Sequence, residues 1–148
     1  NRQRKVDEPI RRRAIVVLSD GEDTASLLSF EELMVEARRA GVTIYTIGLH
    51  AEAAVTYAAQ RARGYFSQAD FSLRSLARET GATSFFPTCA DDLSAAYAAI
   101  GRELAQQYAI GYVSRNPMKD GAFRRVVVRV ADRPEARPRT RTGYLAAN

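Results

Sequence analysis

The chain has 148 residues, 46% of them apolar and 26% charged, with a single cysteine and a single histidine. That is the composition of a globular domain long enough to bury a core. It excludes collagen, a coiled coil and wholesale disorder, and it leaves no disulfide framework or Cys- or His-rich metal cluster within the chain. The formal charge of +5 is unevenly placed: residues 1–107 hold 13 Lys/Arg against 14 Asp/Glu, and residues 108–148 hold nine against three. Such a shift marks a second structural unit beginning near Tyr108.

Residues 1–12 are a charged lead-in without a start methionine or signal-peptide pattern, as expected of a processed or truncated product. Ala14 to Leu18 is apolar on consecutive positions, the pattern of a strand covered on both faces in a parallel sheet. No apolar run approaches the ~20 residues of a transmembrane helix. The strand breaks at the polar loop Ser19-Asp20-Gly21-Glu22-Asp23. Ser29 and Glu32 are spaced as a capping box, Phe30, Leu33, Met34, Ala37 and Ala40 recur at helical spacing, and Gly41 is the stop. Val42 to Gly48 reads as the next strand, completing a strand–helix–strand crossover.

Residues 51–63 are alanine-rich and read as a short helix. A helix from Ser72 to Gly81 carries Leu73, Leu76 and Ala77 inward, and Thr83 to Phe86 forms a short strand stopped by Pro87. Asp91 and Asp92 open a long helix, where carboxylates favour the positive N-terminal end. Its apolar stripe is Leu93, Tyr97, Ile100 and Leu104. Alternating strands and helices make residues 13–107 an α/β unit with a parallel sheet. Beyond it, Tyr108 to Val113, Phe123 to Val130 and Arg139 to Leu145 read as two or three antiparallel strands of a basic β-hairpin extension.

Ligands of open α/β sheets sit beyond the carboxyl ends of the strands. Asp20 is the first charged residue after the first strand, and Gly21 lets the backbone turn beside it. A carboxylate there suits a hard divalent cation; it serves equally to end the strand and cap a turn. His50 follows the second strand on the same edge and reads as a plain loop residue. Cys89 reads as a small buried residue, Asp91 and Asp92 as helix-end acids, and Tyr97, Tyr108 and Tyr112 as core and hairpin packing.

The stretch AIVVLSDGEDT at residues 14–24, followed by a helix and VTIYTIG at 42–48, resembles the fourth and fifth strands of a von Willebrand factor type A domain. LARETGATSFF at 76–86, with Ala90-Asp-Asp-Leu93, is similar to that family's closing helix, strand and helix. Tyr108 to Tyr112, the Asp120-Gly121 turn and Arg139 to Tyr144 resemble an extension on a bacterial branch of the family. The resemblance implies a doubly wound, Rossmann-like sheet and a non-catalytic, adhesion-type module that grips an acidic residue of a protein ligand through Mg²⁺ or Mn²⁺. It matches Asp20 to the metal-ligating aspartate after the fourth strand, with Ser19 and Gly21 shaping the loop; Asp23, in the same loop, reads as a solvated residue rather than a second acid of the site. It also implies a secreted, periplasmic or cell-surface setting.

The family's Asp-x-Ser-x-Ser loop is not found in these 148 residues; Asp70-Phe71-Ser72-Leu73-Arg74 comes nearest and breaks at Arg74. The chain is therefore expected to be the C-terminal part of such a domain, its first three strands missing and its metal site incomplete, with weak or no ion binding of its own. Its open strand at Ile15 to Leu18 is then expected to self-associate or to pair with an upstream segment. Two other function classes stay open: a metal-dependent phosphoryl-transfer or hydrolytic enzyme, for which no phosphate loop or second acid accompanies Asp20, and polyanion binding through the basic tail. Nucleic acid is not an expected partner, because no aromatic residue interleaves the tail arginines.

Overall fold

The computed structural model describes residues 13–19, 27–49, 67–133 and 135–147. Its elements are β1 (Ala14–Ser19), α1 (Phe30–Ala40), β2 (Thr43–Gly48), α2 (Gln68–Thr80), β3 (Ser84–Phe85), α3 (Ala90–Ala105), β4 (Phe123–Arg125) and β5 (Gly143–Leu145). β1, β2 and β3 form a parallel sheet in that order, with Ala14 beside Thr43 and Thr46 beside Ser84. β4 and β5 form a separate antiparallel pair. The chain is thus α/β with an added small β unit. The lead-in, the loop from Asp20 and the helix expected at 51–63 lie outside the described residues.

Local chemistry explains the helix ends. Ser29 accepts from the Glu32 amide while the Glu32 carboxylate accepts from the Ser29 amide at 2.8 Å, and Gly41 closes α1 in a left-handed conformation. The α2 helix starts four residues earlier than Ser72, because Ser67 accepts from the Asp70 amide at 3.1 Å and caps it.

The core is built on β2, whose Ile44, Tyr45, Thr46 and Ile47 are all buried. Ile44 packs with Met34 and Ala37 of α1 and Leu76 of α2. Tyr45 and Ile47 pack with Ala77, Ala82 and Ile100. Two threonines tie β2 to α2: the Ile44 amide donates to Thr80 Oγ1 at 3.0 Å, and Thr46 Oγ1 donates to the Leu73 carbonyl at 3.1 Å.

Among the described residues β1 has the open second edge expected of it, but not the expected cover on both faces. Among these residues it pairs with β2 alone, and Ile15, Val16 and Leu18 are between 39% and 48% exposed. An apolar run makes cover favourable, but the cover itself must come from neighbours on each face. The stripe on α3 is also displaced: Ala96 and Ile100 are buried, whereas Tyr97 is exposed.

The extension is less strand-rich than its sequence pattern. Tyr108 to Val113 forms no strand, and the two later segments pair only at β4 and β5, flanked by two further bonds at 2.9 Å, from the Val126 amide to the Thr142 carbonyl and from the Ala146 amide to the Ala122 carbonyl. β-branched residues favour an extended backbone, but a ladder also needs a partner in register. The extension is nevertheless anchored. Arg139 donates to the Gly81 carbonyl, to Thr83 and to Glu103, while the Thr142 amide donates to the Glu79 carbonyl at 3.2 Å. Gly81 has φ +84°, and a Cβ there would lie 2.6 Å from the Arg141 nitrogen, so the crossing segment rests directly on glycine backbone.

Candidate functional site

The carboxyl edge of the parallel sheet is defined by where each strand stops. β1 ends at Ser19, whose carbonyl accepts from the Leu49 amide at 2.8 Å, so the two strands reach the edge together. Ser19 is half-buried there. Asp20, Gly21, Asp23 and His50, the other loop residues singled out from the sequence, lie outside the described residues.

Helix α2 runs back along β2. Thr80 bonds Ile44 near the start of the strand, and Leu73 bonds Thr46 and approaches Gly48 near its end. The first turn of α2 therefore projects past the carboxyl edge, where its N-terminal dipole favours negative charge. Asp70 sits in that turn with 0% exposure. Arg74 lies four residues on, along the same helix face. Its guanidinium stands 4.4 Å from the centroid of the Phe86 ring. Phe86 is buried against the end of β2, and a Cβ on Gly48 would lie 2.6 Å from two of its ring carbons. Gly48 thus lets an aromatic ring lie on the strand backbone, and the ring in turn carries an arginine.

The structure brings together Ser19, Gly48, Asp70, Arg74 and Phe86 along one side of the molecule. By its sequence alone, Asp70 opens an imperfect Asp-x-Ser-x-Ser match that breaks at Arg74. The Ser67-x-x-Asp70 spacing before an apolar run is the signal that places it in the first turn of a helix. Its burial is a tertiary property.

A divalent cation of the Mg²⁺ type requires about six oxygen ligands. Among the described residues, no group of three or more His, Cys, Asp or Glu side chains stands close enough to hold a metal ion. The described residues therefore do not fit a complete cation shell.

Other candidates fall elsewhere. Cys89 is exposed, not buried, because it precedes α3 as its N-cap residue and faces no core. Asp92 works at the same helix start, accepting from Thr88 Oγ1 at 2.7 Å and from the Thr88 amide at 3.1 Å. The Thr88 hydroxyl, followed by its amide, holds the Asp92 carboxyl below its ordinary range. Tyr97 and Tyr108 are exposed; Tyr112 makes an edge-on contact with Tyr144 at 6.3 Å but remains largely open. Among the described residues, the packing expected of these three tyrosines is thus reduced to that one ring contact: Tyr97 lies on the open face of α3, and the segment from Tyr108 pairs with no described strand.

No family model matches the sequence, and no curated protein does. Among solved structures, the chain is similar to an uncharacterized membrane-spanning protein from Vibrio fischeri, with a TM-score of 0.48 and 24% identity. The alignment covers 63% of this chain and 47% of that one, so the chain spans about half the length of the structure it matches. Among the described residues of this chain, no helix is long and apolar enough to cross a membrane.

Proposed function

We propose that the chain belongs to a non-catalytic, protein-binding module of the von Willebrand factor type A kind, built on a doubly wound, Rossmann-like sheet. In this reading the complete domain grips an acidic residue of a protein ligand through Mg²⁺ or Mn²⁺, and Asp20 supplies one of the oxygens. The observation that carries the reading is the end of β1. The strand that precedes the Ser19-Asp20-Gly21-Glu22-Asp23 loop lies in a parallel sheet and stops at Ser19 on its carboxyl edge. Loops on that edge are where open α/β sheets hold ligands. Packing of successive β2 residues into two separate clusters supports a sheet covered on both faces.

Ser19 and Gly21 then set the backbone of the loop, and Asp23 adds negative charge beside Asp20. One carboxylate loop is far from six ligands, so the reading expects the 148-residue chain to bind Mn²⁺ no better than roughly millimolar. Titration of Mn²⁺ followed by electron paramagnetic resonance tests this. A longer polypeptide that supplies an Asp-x-Ser-x-Ser loop should bind the ion more tightly, and Asp20→Ala should remove that gain. Micromolar binding by the 148-residue chain, or indifference of the longer one to Asp20→Ala, would overturn the reading.

A further inference from the structure

Where the extension crosses the α/β unit, the molecule has a groove of about 270 Å³ lined by Arg78, Arg125, Arg139 and Arg141 together with Val126 and Val127. The four arginines come from three separate stretches of chain, and among the described residues no acidic side chain lines the groove. Arg139 is balanced by Glu103, and Arg141 lies 5.7 Å from the Tyr144 ring centroid. Among the described residues, Arg78 and Arg125 make no ion pair or side-chain hydrogen bond. The nearest carboxylate in sequence, Glu79, feels the Arg78 charge but accepts its hydrogen bonds from Arg38 and Thr142. Clustered guanidinium groups repel one another, and a bound anion relieves that repulsion.

The backbone beside the arginines is also unspent. The β4–β5 ladder ends just past Arg125, and Pro138 has no N–H to offer across the opening. Among the described residues, no amide of 127–130 donates to another backbone group, although this stretch reads Val-Val-Arg-Val and Val127 and Val130 are exposed. β-branched residues with unused main-chain donors are suited to receiving an added strand.

We infer that this groove binds an extended acidic peptide segment of a protein partner. Carboxylates on alternate residues of the peptide meet Arg78 and Arg125, while its backbone runs along residues 127–130. Bidentate guanidinium–carboxylate pairing supplies the charge recognition. A protein ligand is favoured over nucleic acid because, among the described residues, no aromatic side chain lines the groove to stack a base. The inference is independent of the cation reading, and the two fail separately: this binding persists in EDTA and does not involve Asp20.

The test is fluorescence anisotropy in EDTA with the 148-residue chain and a labelled Glu-Val-Glu-Val-Glu peptide. Its Gln-Val-Gln-Val-Gln counterpart and a labelled oligothymidine are the comparison probes. The glutamate peptide should bind at least about tenfold more tightly than either probe. Arg78→Gln/Arg125→Gln should weaken it about tenfold with at most a small shift of the thermal melt, since neither arginine makes an ion pair or side-chain hydrogen bond among the described residues and Arg78 acts on Glu79 only through its charge. The single Arg125→Gln variant serves if the double variant melts early. Arg115→Gln/Lys119→Gln, removing equal charge elsewhere on the extension, should leave binding unchanged. Equal affinity for the two peptides, equal loss in both double variants, no loss in the groove variants, or tighter oligothymidine binding would each overturn the inference.

Discussion

Glu79 is the carboxylate on which the extension is fastened to the α/β unit, and its removal can be worked through in numbers. Its Oε2 accepts from Arg38 at 2.9 Å and from the Thr142 hydroxyl at 2.5 Å. The Arg38 guanidinium also lies 5.0 Å from the centroid of the Phe123 ring, so the same carboxylate steadies β4 indirectly. With the Arg38 and Glu79 side chains 28% and 18% exposed, the ion pair contributes about 1 kcal/mol. The hydroxyl bond to a charged acceptor contributes about another 1–1.5 kcal/mol. Glu79→Ala should therefore lower stability by about 2 kcal/mol, read from urea melts with an unchanged slope. Thr142→Val should cost about 1–1.5 kcal/mol, and the double variant should show about 1 kcal/mol of coupling, since the two residues share one bond. Burial raises the Glu79 carboxyl pKa, but the bonds from Thr142 and Arg38 and the charges of Arg38 and Arg78 outweigh it, leaving the group below its usual value. A lowered carboxylate stabilises the fold above its unfolded pKa and loses that contribution as pH falls through the folded value. The wild type should accordingly lose stability on acidification below the ordinary glutamate range, and Glu79→Gln should flatten that part of the profile. Strict additivity of Glu79→Ala and Thr142→Val, with no change in the acid limb, would show that the clasp is not formed in solution.

Gly48→Ala should destabilise the chain by about 1–3 kcal/mol, because the new Cβ would meet the Phe86 ring at 2.6 Å and Leu73 at 3.2 Å. A thermal melt matching the wild type would refute that packing. The exposed apolar edge at β1 should make the chain associate at high concentration in sedimentation velocity, and Val16→Lys should suppress this by placing charge on the edge. A strictly monomeric wild-type chain, with every Ile15 to Leu18 amide strongly protected from exchange, would mean that the edge is already covered.

Features set by near neighbours were readable from the residues alone. The capping box at Ser29 and Glu32, the Gly41 stop and the long helix from Ala90 depend on chemistry within a few positions, and each stands in the structure. The α/β order followed from them. So did the end of β1 at Ser19, which locates the strand terminus that the Asp20 loop follows.

What the residues alone left open depended on distant partners. A run such as Phe123 to Val130 favours extension, but pairing stops at Val126 because the returning segment meets it only near Thr142 and Gly143. Cys89 and Tyr108 have the chemistry of buried residues and are exposed, since their places in the chain put them off the core. Asp70 has the chemistry of an exposed residue and is buried, because α2 lies along β2 and carries its first turn past the sheet edge. The arginine groove joins α2, the segment after β4 and the segment before β5, which no local spacing brings together. Secondary structure starts from short-range hydrogen bonds and backbone preference, whereas burial and charge clustering depend on which surfaces the folded chain brings face to face.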